Sequence, residues 1–196
     1  MKKFTSTLFI IFLIFSAKAL AADNEMVKRI SEGEESAKIT IIAYESLTCG
    51  HCANFHKDVL PELKKDFIDK GLVKIEFRHF PLDLAAFNAS KIAQCNNDGN
   101  SNILHILYSG QKKWARGKTP EEATGYLKKF LESESVNLDF EKCLSDKAIE
   151  DFVLNDRIDG VKKFEVNATP TIIINDKKFD KALNYKNLKK YLEKLI

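Results

Sequence analysis

Four cysteines are the residues of this 196-residue chain best suited to covalent chemistry, and two of them stand three apart in Cys49-Gly50-His51-Cys52. Two thiols at that spacing can close a small disulfide ring. At the start of a helix the first would lie among unpaired backbone N–H groups and at the positive end of the helix dipole. Such surroundings favour a thiolate: helix N-termini and nearby cations bring cysteine pKa values down from about 8.5 to roughly 3.5–7.5, and His51 can add a hydrogen bond or a positive charge. Cys49 is therefore predicted to be the nucleophile, and Cys52, one turn in, the more buried resolving thiol. Haem attachment would need His directly after the second Cys, where Ala53 stands. Zinc would need two further ligands, and a strand-to-helix junction differs from the paired spacing of zinc knuckles. A purely structural disulfide would leave the helix N-terminus and the histidine without a use.

The surrounding pattern supplies that junction. Lys38-Ile-Thr-Ile-Ile-Ala-Tyr44 is β-branched and largely apolar, which predicts a buried strand directly before the motif. After the motif, Phe55, Val59, Leu60, Leu63 and Phe67 recur at intervals of three and four, so a helix follows, with Pro61 as a kink and Gly71 as its end. Leu72 to Phe77 reads as a second strand closed by Pro81. Asp83 to Phe164 carries mostly helical signals. Thr119-Pro120-Glu121-Glu122 combines an N-cap, proline at the first helical position and a capping-box glutamate. A later helix through Ile149, Phe152, Val153, Val161 and Phe164 is expected to be disturbed at Gly160. The tail returns to strands at Thr171–Ile174 and Lys177–Phe179 around a turn at Asn175-Asp176. It ends in an amphipathic helix bearing Leu188, Tyr191, Leu192 and Leu195. Two strands joined by a crossover helix imply a parallel pair, and the closing hairpin is antiparallel.

Composition places this fold in a compartment. The chain has 31 basic and 28 acidic residues, but Lys2, Lys3 and Lys18 lie in the first 21 residues, which hold no acid. Beyond them the charges balance, so nucleic acid is not an indicated partner. The opening combines Lys2-Lys3, the apolar run Leu8 to Phe15 and the small-x-small tripeptide Ala19-Leu20-Ala21, the pattern of a secretory signal cut after Ala21. Its uncharged stretch would span about 21 Å as a helix, short of the ~30 Å of a hydrocarbon core. An uncleaved anchor is the alternative. Export implies a compartment where disulfides form and persist.

The motif after a leading strand resembles the thioredoxin-fold disulfide oxidoreductases, and the chain from Lys38 to Ile196 resembles their DsbA-like branch. The resemblance implies an α/β thioredoxin fold over residues 38–82 and 165–196, with an inserted helical subdomain at 83–164 and a leader at 22–37. It further implies a cis-proline at Pro170 opposite the dithiol, within Val166-Asn-Ala-Thr-Pro-Thr171, and a Thr169 backbone that pairs with an extended substrate. Gly50 and Thr169 look more like isomerases than DsbA-like oxidases. The family's buried acid on the first strand falls at Ala43 here, while Glu45, two residues on and able to face the same side, can substitute as a proton relay. A solvent-facing carboxylate at the strand end is the competing reading.

In function, the resemblance implies a monomeric periplasmic oxidase without cofactor or bound metal. Such an enzyme acts on unfolded or reduced exported proteins and is reoxidised by a DsbB-like membrane partner. An isomerase or reductase is the first alternative, and a metal-binding or metal-chaperone module using the same thiols is the second. With Cys49 and Cys52 committed, Cys95 and Cys143 have one intramolecular pairing, and some DsbA-like proteins carry a second, non-catalytic disulfide in this region. Two buried free thiols are the other reading. His56, His79 and His105 are too irregularly spaced for a metal site and read as surface or satisfied core histidines. Trp114 reads as core, and Lys177-Lys178 and Lys189-Lys190 as solvated faces.

Overall fold

The computed structural model describes residues 26–196, so the predicted export segment and its cleavage site lie outside the described residues. A short β1, Ser31–Glu32, precedes β2, Ile39–Glu45, whose Ile, Ala and Tyr side chains are all buried. The crossover helix then runs as one continuous path. It consists of α1 (Gly50–Asn54), a wider π-type turn at Phe55–Val59, α2 (Leu60–Leu63) and a second wide turn at Lys64–Ile68. Pro61, which has no N–H to give the preceding turn, sits where the helix widens. Gly71, at φ 68°, turns the chain into β3, Val73–His79.

Helices α3 (Leu84–Gln94), α4 (Asn102–Ser109), α5 (Gln111–Trp114), α6 (Pro120–Ser133), α7 (Phe140–Ser145) and α8 (Lys147–Phe164) come next. The chain then returns through β4 (Thr171–Ile174) and β5 (Lys177–Lys178) to α9 (Tyr185–Leu192). The described residues form one sheet in the order β1-β3-β2-β4-β5. Its β2/β3 pair is parallel and its other pairs antiparallel. This is a thioredoxin fold with a helical insertion between β3 and β4.

Caps and packing explain the boundaries. Asp83, Asp139, Asp146 and Asn184 each accept a backbone N–H three residues on, at the first turns of α3, α7, α8 and α9. Thr119 accepts from Glu122 N at 3.2 Å, but the Glu122 carboxylate takes the Lys118 N–H at 2.7 Å instead of closing the reciprocal bond on Thr119. The leader is less featureless than its sequence: β1 pairs with β3, and Arg29 bonds both oxygens of buried Asp156 on α8, which also accepts from His79 N. Leu195, expected on the last amphipathic face, lies beyond α9 and is 43% exposed.

Gly160 corrects an expectation. Helix α8 runs through it unbroken, and the glycine is there for contact, since a Cβ would lie 2.8 Å from Tyr44 Cε1. That ring is fully buried between Phe80 and Phe164, so it has nowhere to retreat. Gly160→Val is expected to cost about 2 kcal/mol by overpacking, since valine gains little in helix preference to offset it. A urea midpoint that stays at the wild-type value would reject this reading.

Candidate active site

The strand register brings the site together. β2 and β4 are antiparallel with Tyr44 opposite Thr171, so the segment entering β4 lies beside the loop leaving β2. Thr169-Pro170 belongs to that segment, and its peptide bond is cis. Cys49 is the N-cap of α1, with extended backbone angles (φ −80°, ψ 118°). Its carbonyl accepts from Cys52 N and Ala53 N, and its N–H donates to Ser46 O. Buried Gln111, reaching in from α5, donates to the carbonyls of Leu47 at 2.8 Å and Cys49 at 3.0 Å. The inserted helices thus hold the loop that carries the thiol.

Cys49 and Cys52 are both free thiols in this structure, and their environments diverge. Cys49 is half-buried and its Sγ donates to Thr169 O at 3.3 Å. The hydrogen bond from the Cys52 thiol, with others from the Thr169 side chain and from the backbone of Cys52 and His51, brings Cys49 from its ordinary 9.0 down to about 5 against the opposing effect of burial. The Thr169 hydroxyl, otherwise buried and unpartnered, is the donor on hand once the thiolate forms. Cys52 is fully buried; burial first, then its bond to Cys49 and the charge of Glu45, push its thiol far up. Gly50 opens on empty space, with nothing within 4 Å of where a Cβ would stand. His51 is exposed, and what lowers Cys49 is its backbone N–H. An anion at one sulfur and a retained proton at the other make the pair able to open and close a disulfide in one direction of charge.

The sign of the resulting pH dependence is fixed. A thiol whose folded pKa is depressed stabilises the folded reduced protein fully above its unfolded value and ceases to do so as pH falls through the folded value. The oxidised protein lacks that thiol. The stability of the reduced form relative to the oxidised one should therefore rise between about pH 5 and pH 9. Urea melts of both forms at pH 4.5 and 8 check this, and a pH-independent difference would contradict it.

Glu45 is 4% exposed, not a solvent-facing strand end, and its Oε2 lies 2.8 Å from His56 Nε2. His56 and His105, read from sequence as surface or core histidines, are joined to it: their Nδ1 atoms are 3.2 Å apart, and His105 Nε2 is 2.5 Å from Glu32 Oε1. His56 had one usable signal, its position four residues after Cys52 on the same helical face. His105, Glu32 and Gln111 had none, because only tertiary packing brings them here. His79 is a buried histidine bonded to Gln94, and burial lowers its pKa. Cys95, the C-cap of α3, is disulfide-bonded to Cys143 on α7, with Cα atoms 5.3 Å apart. Among the described residues no group of three or more His, Cys, Asp or Glu is arranged to hold a metal ion.

This fold and site define a class, a thioredoxin fold with a helix-capped dithiol, and comparison agrees. Residues 25–194 match a family profile described as Thioredoxin. The crystal structure of Wolbachia pipientis alpha-DsbA1 superposes with a TM-score of 0.75 at 29% identity, covering 85% of this chain and 90% of that one. Disulfide bond formation protein D of Bacillus subtilis is 29% identical over 172 residues, 83% of this chain and 74% of its own length. A Rickettsia bellii relative is 30% identical over 158 residues, 78% of this chain. The chain spans 58% of that protein's length and 54% of its Rickettsia felis counterpart. The chain belongs to the thioredoxin family, within its DsbA-like branch.

Proposed function

We propose that this chain is an exported protein thiol:disulfide oxidoreductase working as an oxidase, with Cys49 and Cys52 as its redox couple. A substrate thiolate attacks Cys49 Sγ in the Cys49–Cys52 disulfide, the sulfur–sulfur bond breaks, and Cys52 leaves and is protonated. A second substrate thiolate then attacks the substrate sulfur of the mixed disulfide and expels Cys49 as a thiolate. Two electrons pass from the substrate dithiol to the enzyme pair. The observation that carries this reading is the opposite shift of the two thiols: a leaving thiolate at about 5 leaves fast and favours the reduced enzyme, as an oxidant requires.

Thr169 and Pro170 frame the face of Cys49 that a substrate strand would meet, and the division into residues 38–82 with 165–196 and an inserted 83–164 accords with the strand and helix pattern. Export to a periplasm after cleavage at Ala21, action on reduced exported proteins as a monomer and reoxidation by a DsbB-like membrane protein complete the proposal. Its support is the sequence of the first 21 residues and the similarity to alpha-DsbA1 and to a disulfide bond formation protein. Mixing the oxidised protein with a reduced two-cysteine peptide tests it. One peptide disulfide should appear per Cys49–Cys52 pair consumed, and a peptide that stays reduced would reject the oxidase.

A further inference from the structure

The first chemical step leaves a charge to be dealt with in a buried place. When the substrate thiolate takes Cys49, Cys52 departs at 0% exposure, where burial makes a bare thiolate costly, so a proton must arrive with it. Four side chains lead from that region to solvent. Glu45, His56, Glu32 and His105 have side-chain exposures of 3%, 5%, 9% and 34% respectively. They are linked in the order Glu45, His56, His105, Glu32 by contacts of 2.8, 3.2 and 2.5 Å. His105, the most exposed of the four, opens on a groove of 1330 Å³ that also borders Gly50 and His51.

Proton counting shows what such a chain can do. Three hydrogen bonds need three protons, yet two neutral imidazoles between two carboxylates carry only two N–H groups. The third proton sits on one ring or on one carboxyl. With that proton on His105, two protons can shift one bond in concert, from His105 to His56 and from His56 to Glu45, without breaking any hydrogen bond or changing the net charge of the set. The groups facing the chain favour this. Tyr108 on α4 stacks on the His56 ring at 3.9 Å and Phe77 on β3 packs against it at 5.3 Å, which holds the ring in line. Lys64 and Ser101 bond Glu32; although burial pushes that carboxyl up, its bonds from His105, Lys64 and Ser101 hold it at about 2, a fixed anion behind His105. At the inner end Glu45 Oε1 is buried without a partner among the described residues, and so is the Tyr108 hydroxyl. Cys52 and Tyr108 each feel this cluster: Glu45 raises Cys52, and burial followed by both Glu45 and Cys52 raises Tyr108.

We propose that His56 and His105 form a proton conduit, delivering a proton from the groove through Glu45 to Cys52 as it leaves the disulfide and returning it when the pair is reoxidised. The step balances: substrate sulfur–Cys49 forms, Cys49–Cys52 breaks, Cys52 gains one proton from Glu45, and the conduit regains one from water in the groove. The inference rests on the exchange reaction proposed above. His105 and His56 act through Glu45 and are positioning residues.

The test uses the oxidised protein with glutathione as the attacking thiol, comparing wild type, His105→Ala and His105→Gln. Alkylation of reduced Cys49 reports whether each site is intact, and the readout is the exchange rate relative to that alkylation rate. Both variants should lose about tenfold or more at pH 7, less than the ~10²–10⁴ of a general acid itself because His105 acts through Glu45, and added imidazole should restore His105→Ala but not His105→Gln by entering the vacated groove site. Wild-type relative rates in both variants would overturn the conduit. So would a loss that imidazole does not relieve, or one that alkylation shares in full, since either marks a structural role. Absence of exchange in the wild type itself would instead overturn the oxidoreductase reading beneath it.

Discussion

Replacing Cys52 by alanine is expected to end turnover and turn Cys49 into a trap. Cys52 performs two tasks: it closes the disulfide that substrates attack, and it gives the hydrogen bond that does most to lower Cys49. Without it no internal disulfide forms, so net oxidation of a dithiol peptide should fall to the uncatalysed level. A Cys49 thiolate that attacks a protein disulfide then has no neighbour to release the adduct, and mixed disulfides should accumulate on non-reducing gels. The Cys49 pKa should also rise, visible as slower alkylation at pH 6. Alkylation at the wild-type rate would contradict the electrostatic account, and failure to collect any adduct would contradict the assignment of Cys49 as nucleophile.

The second large effect concerns stability. The Cys95–Cys143 bridge closes a loop of sequence separation 48, worth about 4 kcal/mol in the chain-entropy description. It ties the end of α3 to α7 inside the helical insertion, and Cys143 is fully buried. Replacing both by serine is expected to lower the urea midpoint by about 2 M, for a denaturant slope near 2 kcal/mol per M. The catalytic loop is gripped by Gln111 on α5, outside the bridged elements, so the folded variant should still exchange disulfides at close to the wild-type rate. An unchanged midpoint, or a lost exchange rate in protein that remains folded, would reject this division of labour.

The sequence carried the parts of the molecule that local rules govern. Continuous β-branched apolar runs marked β2 and β4, which are buried on both faces, alternation marked β3, which is buried on one, and spacing of three and four marked the crossover helix, α8 and α9. Thr119-Pro120 marked a helix start because the cap is a local hydrogen bond. The Cys49-Gly50-His51-Cys52 spacing exposed the dithiol for the same reason. Where the sequence misled, a distant partner decided. Gly160 looked like a helix breaker, and its meaning is the Tyr44 ring from β2. The leader at 22–37 carried no assigned element, yet Arg29 and Glu32 are bound to groups 127 and 73 residues away. His56 and His105, 49 apart, had no shared pattern until the fold placed their rings in contact.

The reduction potential of the Cys49–Cys52 pair, measured by equilibration with glutathione, tests the central claim most directly. A thiolate at about 5 beside a buried thiol should favour the dithiol and give a potential between about −180 and −120 mV, the range of disulfide donors. A value near ~−270 mV, where thioredoxin reductants lie, would contradict the account and make the chain a reductase.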